Sequence, residues 1–178
     1  VEVVRVFSDG DYVFAHTEYD FSSLRVGFEV FRFEGDQTVE HWDNIQEKDG
    51  PSPSGRDMTD GPTAATDLHR TTANRETVRA FVDEILIGGE LDRIEQFIDA
   101  SCYIEHNPRI GDGMAALRTA LNERATNGSR LIQYDRNHRL LAEGSFVLSV
   151  SEGTLRGVHT SFYDLFRVAD GNLVEHWD

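Results

Sequence analysis

The chain has 178 residues, 39% of them hydrophobic, with 32 acidic side chains against 17 basic ones and a formal net charge of -15 at pH 7. That length fits one ordinary domain, or one domain with part of another, and the apolar content can fill a real core. The negative charge repels phosphate backbones, no basic stripe with interleaved aromatics offsets it, and no run of about 18 apolar residues occurs, which argues against nucleic-acid binding and against a membrane span.

In chain order, VEVVRVFSDG reads as an alternating strand rather than a charged-then-apolar secretion signal. A turn at Asp9-Gly10, a second strand, a third ending in FRF, a turn at Gly35-Asp36 and a fourth strand carrying VEHWD (Val39 to Asp43) complete an antiparallel meander over residues 1–47. Residues 48–71 are rich in Pro, Gly, Ser, Thr and Asp and read as a linker. From Thr72, an acceptable N-cap, the period becomes helical: Val78, Phe81, Val82, Ile85 and Leu86 share one face and Gly88-Gly89 supplies a stop. A shorter helix is expected at ELDRIEQFI, a loop at CYIEHNPRIGDG and a third helix at MAALRTALNERA. A second meander follows, with turns at Glu143-Gly144 and Asp170-Gly171, and ends on VEHWD as Val174 to Asp178.

The two meanders are copies of one another. Sliding the chain by 134 or 135 residues pairs RVFSDGDYVFAHTE with RLLAEGSFVLSVSE and FEVFRFEGDQTVEHWD with FYDLFRVADGNLVEHWD, with a single one-residue gap between the blocks. Residues 72–178 therefore make a complete unit of three helices followed by a meander, while residues 1–47 hold only the sheet half of a first, incomplete unit. Missing upstream helices, or their supply by another subunit, are the two explanations this pattern allows. Cys102 is the only cysteine, which rules out an internal disulfide and points to a reducing, cytoplasmic setting.

The order helix, helix, loop, helix, antiparallel sheet, with YIEHNPRIGDG after the second helix and DLFRVADGNLVEHWD at the end, resembles the SnoaL-like polyketide cyclase branch of the nuclear transport factor 2-like superfamily. The resemblance covers residues 72–178 fully and residues 1–46 as the sheet half of a tandem copy. It implies an α+β, cone-shaped fold with three helices packed on a curved antiparallel sheet, a pocket in the concave face, and a homodimer formed through the exposed sheet face. The superfamily hosts cyclases, isomerases, dehydratases, epoxide hydrolases and non-enzymes, so a fold is implied more firmly than a reaction.

A three-residue connection at Ala169 to Gly171 would place Asp164 opposite His176, Phe166 opposite Val174 and Phe162 opposite Asp178 on one face, whereas a two- or four-residue connection would put Asp164 beside Trp177. The first register is the expected one, with Glu175, Arg167 and Trp177 outside the pocket. The first copy offers Glu29, His41 and Asp43 with Phe31 and Val39 in the same arrangement, and His16 where the second copy has Val150. A carboxyl group in an apolar pocket next to a histidine supports acid-base chemistry near neutral pH without a cofactor.

By resemblance, Asp164 matches the protonated aspartate of ketosteroid isomerase, a donor to a developing enolate. That enzyme's base does not carry over, because Asn107 stands before Pro108, so His176 or His106 becomes the candidate for proton transfer. Asp178 resembles the water-activating aspartate of limonene epoxide hydrolase-like members, and Tyr103 and Asn107 are expected in the pocket wall. The expected function is a cofactor-independent cyclase, isomerase or aldol-type enzyme on a small apolar carbonyl compound. A non-catalytic small-molecule-binding or dimerisation module and an epoxide hydrolase-like enzyme are the alternatives. The seven histidines show no metal-ligand spacing, and neither a phosphate-binding loop nor a nucleophile elbow occurs, so no metal or cofactor is expected.

Overall fold

Alternating apolar residues and tight turns give two antiparallel sheets in the computed structural model, which describes residues 1–178. The first runs β1 (Glu2–Asp9), β2 (Tyr12–Asp20), β3 (Leu24–Glu34) and β4 (Gln37–Glu47) in simple sequential order. Between the sheets come α1 (Thr71–Phe81), which continues as a π-helical turn (Val82–Ile87), and a 3-10 segment (Leu91–Gln96). The short β5 (Ile104–Glu105) and α2 (Met114–Asn122) follow, then β6 (Ile132–Glu143), β7 (Phe146–Leu155), β8 (Val158–Ala169) and β9 (Asn172–Trp177). The second sheet has the order β5-β9-β8-β7-β6, with β5 parallel to β9.

The internal repeat holds at the level of register. Val6 pairs with Ala15 as Leu140 pairs with Ser149, Ala15 with Glu29 as Ser149 with Asp164, and Phe31 with His41 as Phe166 with His176. Even the irregularities match: the register shifts between Arg32 and Phe33 in one copy and between Arg167 and Val168 in the other.

Those shifts correct the expected β8–β9 pairing. The connection is the two-residue turn Asp170-Gly171, both at positive φ (49° and 84°), with Ala169 opposite Asn172. Such a turn alone would have sent Asp164 and His176 to opposite faces. The bulge adds Val174 as an unpaired residue, since Val168 pairs with Leu173 and Arg167 with Glu175, and this restores the parity. Phe166, not Asp164, faces His176, and Val174 faces no partner; the expected register was two residues off, which leaves Asp164, His176 and Asp178 on their expected face.

The helical layer also departs from expectation in detail. The first helix starts at Thr71, one residue before the expected cap, and the Thr71 hydroxyl instead accepts a hydrogen bond from the Gly144 amide in the β6–β7 turn at 2.8 Å. Its apolar face is as expected: Val78, Phe81, Val82, Ile85 and Leu86 are buried. The six-residue π-turn and the stop at Gly88-Gly89 close this helix, with Gly89 at φ 72°. The second expected helix is a 3-10 segment rather than an α-helix.

Two cores result. One joins this helical layer to one face of the second sheet, through Phe81, Ile85, Ile94, Leu117, Val147, Phe166 and Leu173. The other lies between the two sheets, where Phe7, Phe14, Phe28 and Val30 meet Leu148, Leu165, Phe146 and Trp177. The layers are thus helices, second sheet, first sheet. The sheet face expected to form a homodimer is covered, within this chain, by the first sheet.

Residues 48–70 form a strap across the junction. The main-chain oxygens of Thr59, Asp60 and Pro62 accept from Arg5, and Asp60 also accepts from Trp177 Nε1 at 2.9 Å. Gly61 lies so close to β9 that a Cβ there would sit 2.5 Å from Glu175 Oε1, at a φ of 97°. No helix is long and apolar enough to cross a membrane.

Candidate active site

A cavity of about 320 Å³ opens between the helical layer and the second sheet. Phe81, Leu86, Leu117, Leu121, Phe162 and Phe166 supply its apolar wall, and Asp164, His176, Asp178, Tyr103, Tyr134 and Asn107 its polar one. Strand alternation explains the grouping: Phe162, Asp164 and Phe166 are successive inward positions of β8, as His176 and Asp178 are at the end of β9.

His176 is the hub. Its ring stacks on Phe166 at 4.8 Å, Nε2 meets Asp164 Oδ1 at 3.2 Å, and Nδ1 meets Glu105 Oε1 at 2.9 Å. Burial works to lower the imidazole's proton affinity, but the charge of Glu105 and the hydrogen bonds to both carboxylates outweigh it and raise the pKa well above the usual histidine value. His176 is therefore a buried imidazolium between two carboxylates. Each carboxylate takes further donors: Tyr134 donates to Asp164 Oδ1 at 2.8 Å, and Glu105 accepts from the Tyr103 hydroxyl at 3.1 Å and the Asn107 amide at 3.0 Å.

Asp164 Oδ1 is thus engaged by both Tyr134 and His176. Its Oδ2 is buried and has no hydrogen-bond partner. Asp178 is held by Asn107 Nδ2, at 2.9 Å from each carboxyl oxygen. Burial pushes its pKa up to about 6, His176 and the Asn107 hydrogen bond oppose this, and the charges of Glu105 and Asp164 add to it. Burial likewise raises the Tyr103 and Tyr134 hydroxyls well above 10.

Of the residues expected in the site, Asp164, His176, Asp178, Tyr103, Asn107, Phe162 and Phe166 come together around the cavity. Val174, displaced into the bulge, is not in its wall. His106 is a correction. As the residue after Glu105 it points to the other side of the sheet, stacks on Trp177 with ring centroids 4.8 Å apart, and is fixed between Glu175 Oε1 (2.9 Å) and the Asp57 carbonyl (2.7 Å). His16 is also a correction: it lies fully buried between the sheets against Arg5 and Phe28, where burial and the Arg5 charge hold its pKa well below the usual value.

In the first copy, Glu29 accepts from Tyr19 and pairs with His41, both at 2.6 Å, and His41 stacks on Phe31. Asp43 is adjacent, and the ligand atoms of Glu29, His41 and Asp43 lie within 4.8 Å of one another. No helical layer covers this face: His41, Asp43 and Val39 are exposed, so the trio is preserved but encloses no cavity.

Glu105 and Tyr134 were missed in the sequence. Glu105 was findable, because it follows Tyr103 by two in an extended stretch and so shares its face. Tyr134 comes from β6 at the far side of the sheet, and nothing local announces it.

No family model matches the chain, and no curated protein matches it. Among solved structures the chain is similar to an LEH-like epoxide hydrolase of M. tuberculosis, with 20% identity and a TM-score of 0.45 over 61% of this chain and 82% of that one. It is also similar to a protein from Jannaschia sp. CCS1 described as a SnoaL-like polyketide cyclase, with 20% identity and a TM-score of 0.44 over 65% of this chain and 89% of that one.

Proposed function

We propose that the chain is a cofactor-independent acid-base enzyme acting on a small, largely apolar compound, with its active site in the second copy. The observation that carries this reading is the pair of buried carboxyl groups in one apolar cavity whose environments differ: Asp164 is hydrogen-bonded to an imidazolium with Oδ2 left free, and Asp178 has a pKa raised to about 6. Two such groups divide the work of base and acid. Asp164 Oδ2 takes a proton from the carbon beside a carbonyl, and Asp178, in its acid form, donates to the oxygen on which negative charge develops. His176, Glu105 and Asn107 orient them.

These roles differ from the sequence expectation, in which Asp164 was the donor. Its Oδ1 is engaged by Tyr134 and His176, which leaves Oδ2 as the oxygen free to receive a proton. Cyclisation, isomerisation and aldol-type chemistry all use this pair. Epoxide opening, the second reading, uses it too, with Asp164 activating water and Asp178 protonating the epoxide oxygen. It is favoured by the free acceptor at Oδ2 and disfavoured by the lack of an arginine against either carboxyl group.

The test is binding of substituted phenols, whose hydroxyl can donate to Oδ2, followed by thermal shift for the wild type, Asp164→Asn and Asp178→Asn, with carbonyl and epoxide substrates then screened for turnover. Saturable binding lost in Asp164→Asn, and turnover that falls as pH rises through about 6, support the reading. Absence of binding by any phenol would reassign the cluster to holding the sheet together.

A further inference from the structure

The cavity of the second copy is not built by the second copy alone. Where the first VEHWD continues into Asn44, Ile45 and Gln46, the end of β4 reaches the cavity mouth, and Phe28, Asn44, Gln46 and Asp49 belong to its lining. The reason is alternation. Asn44 and Gln46 fall on the same face of β4 as Trp42, the face turned toward the second sheet, and the two sheets are in contact there. Each amide finds a main-chain acceptor across the junction: Asn44 Nδ2 donates to the Ser161 carbonyl at 3.0 Å, and Gln46 Nε2 donates to the Asp178 carbonyl at 2.7 Å.

We propose that Gln46 is a positioning residue for the site, holding the main chain of Asp178 so that its carboxyl group stays in the cavity against Asn107, and that Asn44 and Gln46 form the wall that limits how large a ligand the mouth admits. The first sheet is thereby a working part of the active site of the second copy. The inference rests on the proposed role of Asp178 for its functional meaning, but the tether itself does not.

Asp178 follows Trp177, which pairs with Leu165 in the β8–β9 ladder. Two contacts fix it: Asn107 on the side chain and Gln46 on the carbonyl. The other charged groups facing its carboxyl are His176 from β9, Glu105 from β5 and Asp164 from β8. None of these touches Gln46, which is itself exposed, so replacing it changes the tether and leaves the cluster intact. Freed of the tether, Asp178 samples water, and the burial that raises its pKa is relieved.

The experiment uses the full chain without ligand. The Asp178 carboxyl is titrated by carbon-13 NMR and its amide mobility measured by nitrogen-15 relaxation, in the wild type, Gln46→Ala, Gln46→Glu and Asn44→Ala. Gln46→Ala is expected to move the midpoint down from about 6 by about one pH unit and to increase the mobility of Asp178. Gln46→Glu, which keeps the size but removes the donor, should give the same gain in mobility. Asn44→Ala should leave both readouts at wild-type values while admitting larger para-substituted phenols.

Wild-type midpoint and mobility in both Gln46 variants would overturn the proposal, whatever the phenols do. Conversely, a moved midpoint in a protein that binds no phenol would keep the tether and sink the enzymatic reading.

Discussion

His176 sits opposite Phe166 in the β8–β9 ladder, yet its Nε2 reaches diagonally to Asp164, two residues along, at 3.2 Å. The other ring nitrogen is taken by Glu105, so one imidazole ring is hydrogen-bonded to two carboxyl groups that have almost no access to water. Removing it takes from both their one basic partner and leaves only the donors Tyr134, Tyr103 and Asn107. His176→Ala is therefore expected to cost about 3–5 kcal/mol, more than the notion of a freely removable catalytic histidine would suggest. The contribution has a pH signature. Because the folded pKa is raised, the stability due to the charge is fully present below about 6.5 and is lost as pH rises through the folded value. Urea unfolding of wild type and His176→Gln should show the gap widest near pH 6 and narrowing above it.

Asp178 shares this loss of stability with rising pH, but for a different reason: the folded state favours its neutral form, where for His176 it favours the charged one. Its pKa rises from 3.8 to about 6, so the folded state favours the protonated form and ionisation above pH 6 opposes folding. The rise corresponds to about 3 kcal/mol as an upper figure. Asp178→Asn, which retains an acceptor for Asn107, should thus stabilise the protein at pH 7.5 by up to about that amount and give no advantage below pH 4. Denaturant titrations at the two pH values check this, and loss of turnover in the same variant would mark a group kept for function at the expense of stability.

Val174 is the extra residue of the β9 bulge. Deleting it would leave the pairs on either side in place, Val168 with Leu173, Arg167 with Glu175, Phe166 with His176 and Leu165 with Trp177, now as a regular two-residue hairpin, so His176 and Trp177 keep their faces and only the local bend of the bulge is lost. Trp177 is wholly buried and donates to the Asp60 carbonyl, and because its pairing with Leu165 survives the deletion, tryptophan emission is expected to keep its wild-type wavelength. A red-shifted emission spectrum or the loss of phenol binding in that variant would contradict this pairing.

Arg5 is buried between the sheets, with its guanidinium 4.4 Å from the Trp177 ring centroid and hydrogen bonds to three strap carbonyls. Burial lowers its pKa to about 10 despite the nearby Glu175 and Asp60 charges. Arg5→Ala leaves those carbonyls without their donor, and about 3 kcal/mol of destabilisation is expected. Proteolysis within residues 48–70 should accelerate in parallel, since the same donor holds the strap down.

Much of this architecture is a property of local sequence. The period of Val78, Phe81, Val82, Ile85 and Leu86 dictates a helix and its buried face, and alternation with turn residues dictates both meanders, because these signals act over a few residues. The duplicated VEHWD carries its strand geometry with it, so the trio Glu29, His41 and Asp43 reappears beside the trio Asp164, His176 and Asp178. What local signals leave open is decided by packing. A single bulge residue sets the face on which His176 emerges, Tyr134 enters the site from a strand distant in the chain, and the choice of cavity or interface for His106 and His16 depends on which layer covers them. Above all, whether a polar trio becomes a site depends on its cover. Under the helical layer the imidazole of His176 is held well above its ordinary pKa and the Asp178 carboxyl is raised to about 6, while on the bare face of the first sheet His41 and Asp43 stand exposed to water and enclose nothing.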